Sequence, residues 1–109
     1  MDGSDKESKL KIITLKDLYL DPNGYQVKLG QNELELTVKE FNLLYIFASN
    51  VGKLVRRSQI CQIIMNPSIV NEDRAINVAI CRLRKKIEIT PHCPRRLISV
   101  RGLGYRLKE

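Results

Sequence analysis

The stretch Arg74-Ala75-Ile76-Asn77-Val78-Ala79-Ile80-Cys81-Arg82-Leu83-Arg84-Lys85-Lys86-Ile87 decides how this chain is read. At about 100° per residue, Ile76, Ile80, Leu83 and Ile87 fall on one stripe about 60° wide, as the buried side of a helix requires. Arg74, Asn77, Val78, Cys81, Arg82, Arg84 and Lys85 lie on the other side. One face is built for a core. The opposite face is basic and mixed with small, amide-bearing and apolar groups. The pattern predicts a helix over about residues 74–89, with Asn71 as a cap ahead of it.

Two more helices precede it. Thr37-Val38-Lys39-Glu40 has the form of a capping box, Thr at the N-cap and Glu three residues on. Phe41, Leu44, Tyr45, Phe47 and Ala48 supply the apolar face of a helix running to about Asn50, and Gly52 sits just past its end. A second helix fits residues 57–65, with Ile60, Cys61, Ile63 and Ile64 apolar, and Pro67 bars its continuation. Residues 66–73 then read as a loop.

Ahead of the helices the period drops to two. Residues 25–29 and 33–36 alternate apolar and polar, and the runs 10–15 and 18–20 are apolar-rich. Asp21-Pro22-Asn23-Gly24 and Gly30-Gln31-Asn32 are turns by composition. Three or four short antiparallel strands in a meander are expected. After the third helix, Pro91 and Pro94 break the chain, and residues 97–100 and 105–107 form a hairpin around Arg101-Gly102-Leu103-Gly104. Residues 1–9 are polar and read as a flexible leader, so the domain proper spans residues 10–109.

Composition narrows the function. A chain of 109 residues that is 43% hydrophobic is one domain with one core. No apolar run approaches the roughly 18 residues of a membrane helix, and the first residues lack the apolar stretch of a secretory signal. Cys61, Cys81 and Cys93 are odd in number and widely spaced, which points to reduced thiols in the cytoplasm. His92 and Cys93 are ligand types, but with one histidine and no C-x-x-C the chain lacks the four ligands of a zinc site. No metal or cofactor is expected. Without a Gly-rich phosphate loop or clustered carboxylates, the lone His92 has nothing to catalyse with.

The net charge of +7 is unevenly placed. Up to Asp73 there are nine basic and ten acidic residues, a net of −1; from Arg74 onward there are ten and two, a net of +8. Such asymmetry favours a polyanionic partner, nucleic acid ahead of anionic lipid.

Three helices followed by a hairpin, the third helix basic and amphipathic, make a winged helix-turn-helix of the α+β class. A helix fits the major groove of double-stranded DNA, where base edges differ in donors, acceptors and methyl groups. There Arg82 suits guanine, Asn77 suits adenine or accepts from cytosine, and Val78 suits a thymine methyl; Cys81 shares that side. Arg74, Arg84 and Lys85 suit phosphates, which position the helix without reading sequence. At the hairpin tip, Gly102 and Gly104 permit a tight turn, and Arg101 carries a charge suited to the minor groove.

Leu36-Thr37-Val38-Lys39-Glu40-Phe41-Asn42-Leu43-Leu44, Arg74-Ala75-Ile76-Asn77-Val78, Arg82-Leu83-Arg84-Lys85-Lys86-Ile87 and Val100-Arg101-Gly102-Leu103-Gly104-Tyr105-Arg106 stand in an order that closely resembles the OmpR/PhoB-type effector domain of bacterial two-component response regulators. The resemblance covers about residues 10–108. It implies an N-terminal four-stranded antiparallel sheet, a three-helix bundle and a C-terminal wing. It also implies that Arg74, Asn77, Val78, Arg82 and Arg84 face DNA, that Arg57 and Ser99 meet phosphates, and that Arg101 reaches the minor groove. Asn66, Pro67, Ser68, Ile69, Val70 and Asn71 match the loop that touches RNA polymerase in activating members. Members usually bind repeated half-sites as homodimers, under control of a phosphorylatable receiver domain. The chain departs from the family at Arg56 (usually serine), Met65 (tryptophan), Ala79 (often histidine) and Cys81 (often polar or basic), so its target sequence is not to be borrowed from relatives. The competing reading is a winged-helix protein-interaction module contacting RNA polymerase or a partner regulator, which would call for an apolar third-helix face.

Overall fold

A computed structural model describes residues 10–109; the expected leader, residues 1–9, lies outside the described residues. Strands β1 (Ile13–Leu15), β2 (Leu18–Asp21), β3 (Gln26–Leu29) and β4 (Asn32–Leu34) form an antiparallel meander in that order. Helix α1 (Val38–Ser49), a two-residue strand β5 (Val55–Arg56), helix α2 (Arg57–Ile64) and helix α3 (Glu72–Ile87) follow. Strands β6 (Leu97–Val100) and β7 (Gly104–Leu107) form the hairpin, and β5 adds to its β7 edge to make a sheet ordered β5-β7-β6. This is the α+β winged helix-turn-helix expected, with one addition. On sequence alone Val55 and Arg56 are too short a run to show a period of two, so the third wing strand carries no local signal.

Pairing sets the faces of the first sheet. Leu18 lies opposite Leu29 and Leu20 opposite Val27, which puts all four on one side. Leu18, Leu20 and Val27 are buried there against Phe41, Leu44 and Phe47 of α1, in one core that also takes Ile60 of α2, the four-residue stripe of α3, and Leu97 and Leu107 of the wing.

Element ends follow local bonding. The α1 capping box forms as expected: the Glu40 amide donates to Thr37 Oγ1 at 3.1 Å and the Thr37 amide to Glu40 Oε1 at 3.0 Å. Arg56, at the N-cap of α2, has donors only, so half a box remains: its amide donates to Gln59 Oε1 at 2.9 Å. Helix α2 stops at Ile64 rather than Met65, whose backbone is extended, and Lys39 Nζ donates to the Ile64 and Met65 carbonyls.

Helix α3 starts at Glu72, two residues before the expected 74, because Asn71 Oδ1 already accepts from the Arg74 amide at 3.1 Å. It stops at Ile87, short of 89. Glu88 turns extended and buries its carboxylate against three successive amides, those of Arg95, Arg96 and Leu97, at 2.9, 2.8 and 2.7 Å. Ile89, expected in the helix, is left almost fully exposed. In the first sheet, β1 is shorter than the 10–15 run, and Leu36 lies beyond β4 in the approach to α1.

Charged ties hold the layers together. Arg96 grips Asp17 through two bonds, at 3.0 and 2.7 Å, joining the start of the wing to the β1–β2 turn. Lys86 Nζ donates to Glu40 Oε1 at 2.8 Å and to the Glu35 carbonyl at 2.7 Å, joining the end of α3 to the start of α1. Gly104 lets β7 lie close against β5: a Cβ there would collide with the Val55 carbonyl oxygen.

Burial pushes the Glu40 carboxyl up, but bonds from Lys86 and Thr37 outweigh burial and hold it below the usual carboxylate range. A depressed folded pKa adds stability above the unfolded value, about 4.3 for glutamate, and that stability is lost as pH falls through the folded value. Lys86→Met should therefore lower Tm near neutral pH, with a deficit relative to the parent that shrinks below about pH 4. Thermal melts across that range check it; a deficit equal at every pH would show that the ion pair is not its source.

Candidate nucleic-acid interface

Helix α3 buries Ile76, Ile80, Leu83 and Ile87 and turns its other side outward. Arg74, Asn77, Cys81, Arg82 and Lys85 are exposed on that side, with Val78 half-buried among them. The residues expected to meet bases therefore share one outward surface. Its charges suit the helix as well: Glu72 and Asp73 occupy the first turn and Arg84, Lys85 and Lys86 the last, each sign at the favourable end of the helix dipole.

The two flanks of this surface differ. On one, Ala75, Ala79 and Arg82 face the 66–71 loop across an open groove of about 530 Å³, floored by Leu43 and Ile64. In that loop Asn66 Oδ1 accepts from the Ser68 amide and hydroxyl at 2.9 and 2.7 Å, and Val70 is 98% exposed. Of the six loop residues singled out from sequence, Asn71 caps α3; Pro67 is exposed and Ile69 half-buried.

On the other flank stands the wing. Arg84 donates to the Leu97 carbonyl from Nε at 3.1 Å and Nη2 at 2.8 Å, and to Ser99 Oγ at 3.2 Å. Its guanidinium lies over the Tyr105 ring, 5.5 Å from the centroid. Arg84 and Ser99, both expected on phosphates, are thus bonded to each other, and Arg84 docks the wing against α3. Arg57 pairs with Asp73 at 3.0 Å, joining the starts of α2 and α3. That bond is the main reason its charge is held more firmly than usual; burial opposes it and the Tyr105 hydroxyl adds to it. At the tip, Leu103 N–H donates to the Val100 carbonyl at 2.9 Å and Gly102 takes a φ of +78°, leaving Arg101 and Gly102 exposed.

The local pattern marks Tyr105 only as a strand residue, yet it is 7% exposed, and its hydroxyl lies 3.4 Å from Asn77 Oδ1 as donor. Its signal was Gly104 immediately before it, which brings β7 against β5 and turns the next side chain inward. Among the described residues, no three His, Cys, Asp or Glu side chains are grouped for a metal ion, and no helix is long and apolar enough to cross a membrane. The three cysteines are free, Cys81 and Cys93 exposed.

The sequence model of the family described as transcriptional regulatory protein, C terminal, matches residues 31–107. The chain belongs to the OmpR/PhoB family of DNA-binding effector domains. Response regulator DrrB of Thermotoga maritima, an OmpR/PhoB homologue, superposes with a TM-score of 0.81 at 31% identity, over 95% of this chain and 47% of its own. The RstA DNA-binding domain of Klebsiella pneumoniae, solved in complex with the RstA box, gives 0.78 at 31% identity, over 91% of this chain and 98% of its own. The CpxR DNA-binding domain of E. coli gives 0.77 at 28%, over 92% and 98%. This chain therefore spans about half of DrrB and nearly all of the two isolated OmpR/PhoB-type domains.

Arg84 and Lys85, neighbours in sequence, should separate in experiment. Arg84→Met breaks charged bonds to a carbonyl and should cost about 1.5–3 kcal/mol of stability in urea titrations. Lys85→Met, at an exposed site, should leave stability within about 0.5 kcal/mol. Equal losses would mean that Arg84 does not anchor the wing.

Proposed function

We propose that this domain binds double-stranded DNA sequence-specifically to regulate transcription, with α3 in the major groove and the wing tip in the minor groove. The observation that carries this reading is the outward side of α3, where exposed Arg74, Asn77, Cys81, Arg82 and Lys85 stand opposite a buried apolar stripe, together with an Arg101 exposed at the wing tip. Membership of the OmpR/PhoB family, and the RstA domain bound to its box, support it. Asn77, Val78, Cys81 and Arg82 address bases. Arg57, Arg74 and Lys85 address phosphates, as do Arg84 and Ser99 at the wing junction, and Arg101 with Gly102 enters the minor groove.

Residues 10–109 act as one binding unit without cofactor or catalysis, on cytoplasmic DNA. On repeated half-sites two copies bind as a homodimer. The exposed Val70 and the groove behind it suit the 66–71 loop to RNA polymerase, and the strongly basic α3 disfavours a role confined to protein partners.

Selection of bound sites from random duplexes tests the whole reading, returning half-site, spacing and orientation together. Arg82→Ala should cost about 1–3 kcal/mol and relax one base position, whereas Lys85→Met should weaken all sequences alike and flatten the salt slope by about one. Unchanged affinity and preference in the Arg82→Ala variant would show that α3 is not the reading element.

A further inference from the structure

The groove between α3 and the 66–71 loop has an apolar floor and a basic rim. Leu43 and Ile64 close it from below, Ala75 and Ala79 leave room along α3, and Ile69 and the exposed Val70 face them from the loop. Its volume of about 530 Å³ lies within the range of small-molecule sites. The loop wall is preformed, since Ser68 and Ile69 both bond back to Asn66.

Three cations, Lys39, Arg74 and Arg82, line the groove against one carboxylate, Glu40. Glu40 already accepts from Lys86 at 2.8 Å and from the Thr37 amide at 3.0 Å. Lys39 Nζ donates to the Ile64 and Met65 carbonyls, neutral oxygens that leave its charge uncancelled. Among the described residues, neither Arg74 nor Arg82 pairs with a carboxylate. The two arginines differ in their neighbours. Arg74 follows Glu72 and Asp73, whereas Arg82 stands one turn before Lys85 and Lys86. An anion is therefore favoured at the Arg82 end. From Arg74 to Arg82 the helix rises about 12 Å, room for an apolar chain of about eight carbons.

We propose that this groove binds a small amphipathic carboxylate, its head on Arg82 and its apolar body over Leu43 and Ile64, and that the occupied groove withholds Arg82 from DNA. The second part rests on the proposed DNA-binding reading; the first does not. A carboxylate matches the guanidinium fork. A phosphodiester backbone could meet the rim, but it has no apolar body to cover the floor.

Octanoate, kept below its micelle concentration, is the probe. Titrated into the parent, it should shift the Leu43 and Ile69 methyl resonances saturably, and octanol and acetate should each bind at least about tenfold more weakly. Ala79→Leu, at a half-buried position that none of the proposed DNA contacts uses, fills the groove. It should abolish the octanoate shifts and keep DNA affinity, and Ala75→Leu serves if that variant fails to fold. Arg82→Gln should weaken octanoate by about tenfold, and Arg74→Gln far less. In gel shifts, octanoate should release DNA from the parent but not from the Ala79→Leu variant. Shifts that survive the filled groove, or that octanol or acetate reproduces, overturn the site. Absence of any shift leaves the groove to a protein partner and overturns it as well. Groove shifts without release of DNA strike the competition alone. A parent that retains no duplex removes the DNA-binding reading and the competition, while the resonances still decide the site.

Discussion

One helix has to be buried along one side and free along the other, and every other element of this domain is arranged around that demand. Ile76, Ile80, Leu83 and Ile87 give α3 only a narrow apolar stripe, so the rest of its circumference stays available. A single strip of contact is a weak hold on a 16-residue helix. The additional restraint is polar and sits at its edges: Arg84 on the Leu97 carbonyl, Lys86 on Glu40 and the Glu35 carbonyl, and Asn71 at its start. These ties leave the outward side untouched. Stability and accessibility are met by different residues of the same helix.

What the sequence made legible was whatever repeats with a period. The α3 stripe, the alternation in β3 and β4 and the capping box at Thr37 are local patterns, and the fold follows from them. What stayed hidden depends on contacts between residues far apart in the chain. Strand β5 exists because Val55 and Arg56 meet Tyr105 and Gly104, about fifty residues away in sequence. The early end of α3 depends on Glu88 finding the amides of Arg95, Arg96 and Leu97, which no helix propensity encodes. The site divides in the same way. The outward face of α3 could be drawn from a helical wheel, but the engagement of Arg84 and Ser99 with each other, and of Tyr105 with Asn77, could not.

Charge in this chain has two duties that net charge does not separate. Arg84, Arg96 and Lys86 are spent on carbonyls and carboxylates within the fold, and Arg57 is shared with Asp73. Arg74, Arg82, Lys85, Arg101 and Arg106 are exposed. The basic excess of the last third is therefore partly structural cement. The exposed part offers a polyanion its most accessible charges, while Arg84, bonded only to neutral oxygens, still adds its charge to the field.

Gly104 has an effect beyond sparing β5 a collision. By letting the two backbones touch, it makes β7 common property of the hairpin and the helical body, so the tip and α3 are set at a fixed span like the jaws of a caliper. A duplex gripped by both jaws must match that span in its groove spacing. Where it does not, the bending or twisting falls on the nucleic acid and its energetic cost varies with base-step stiffness, even at steps no side chain touches.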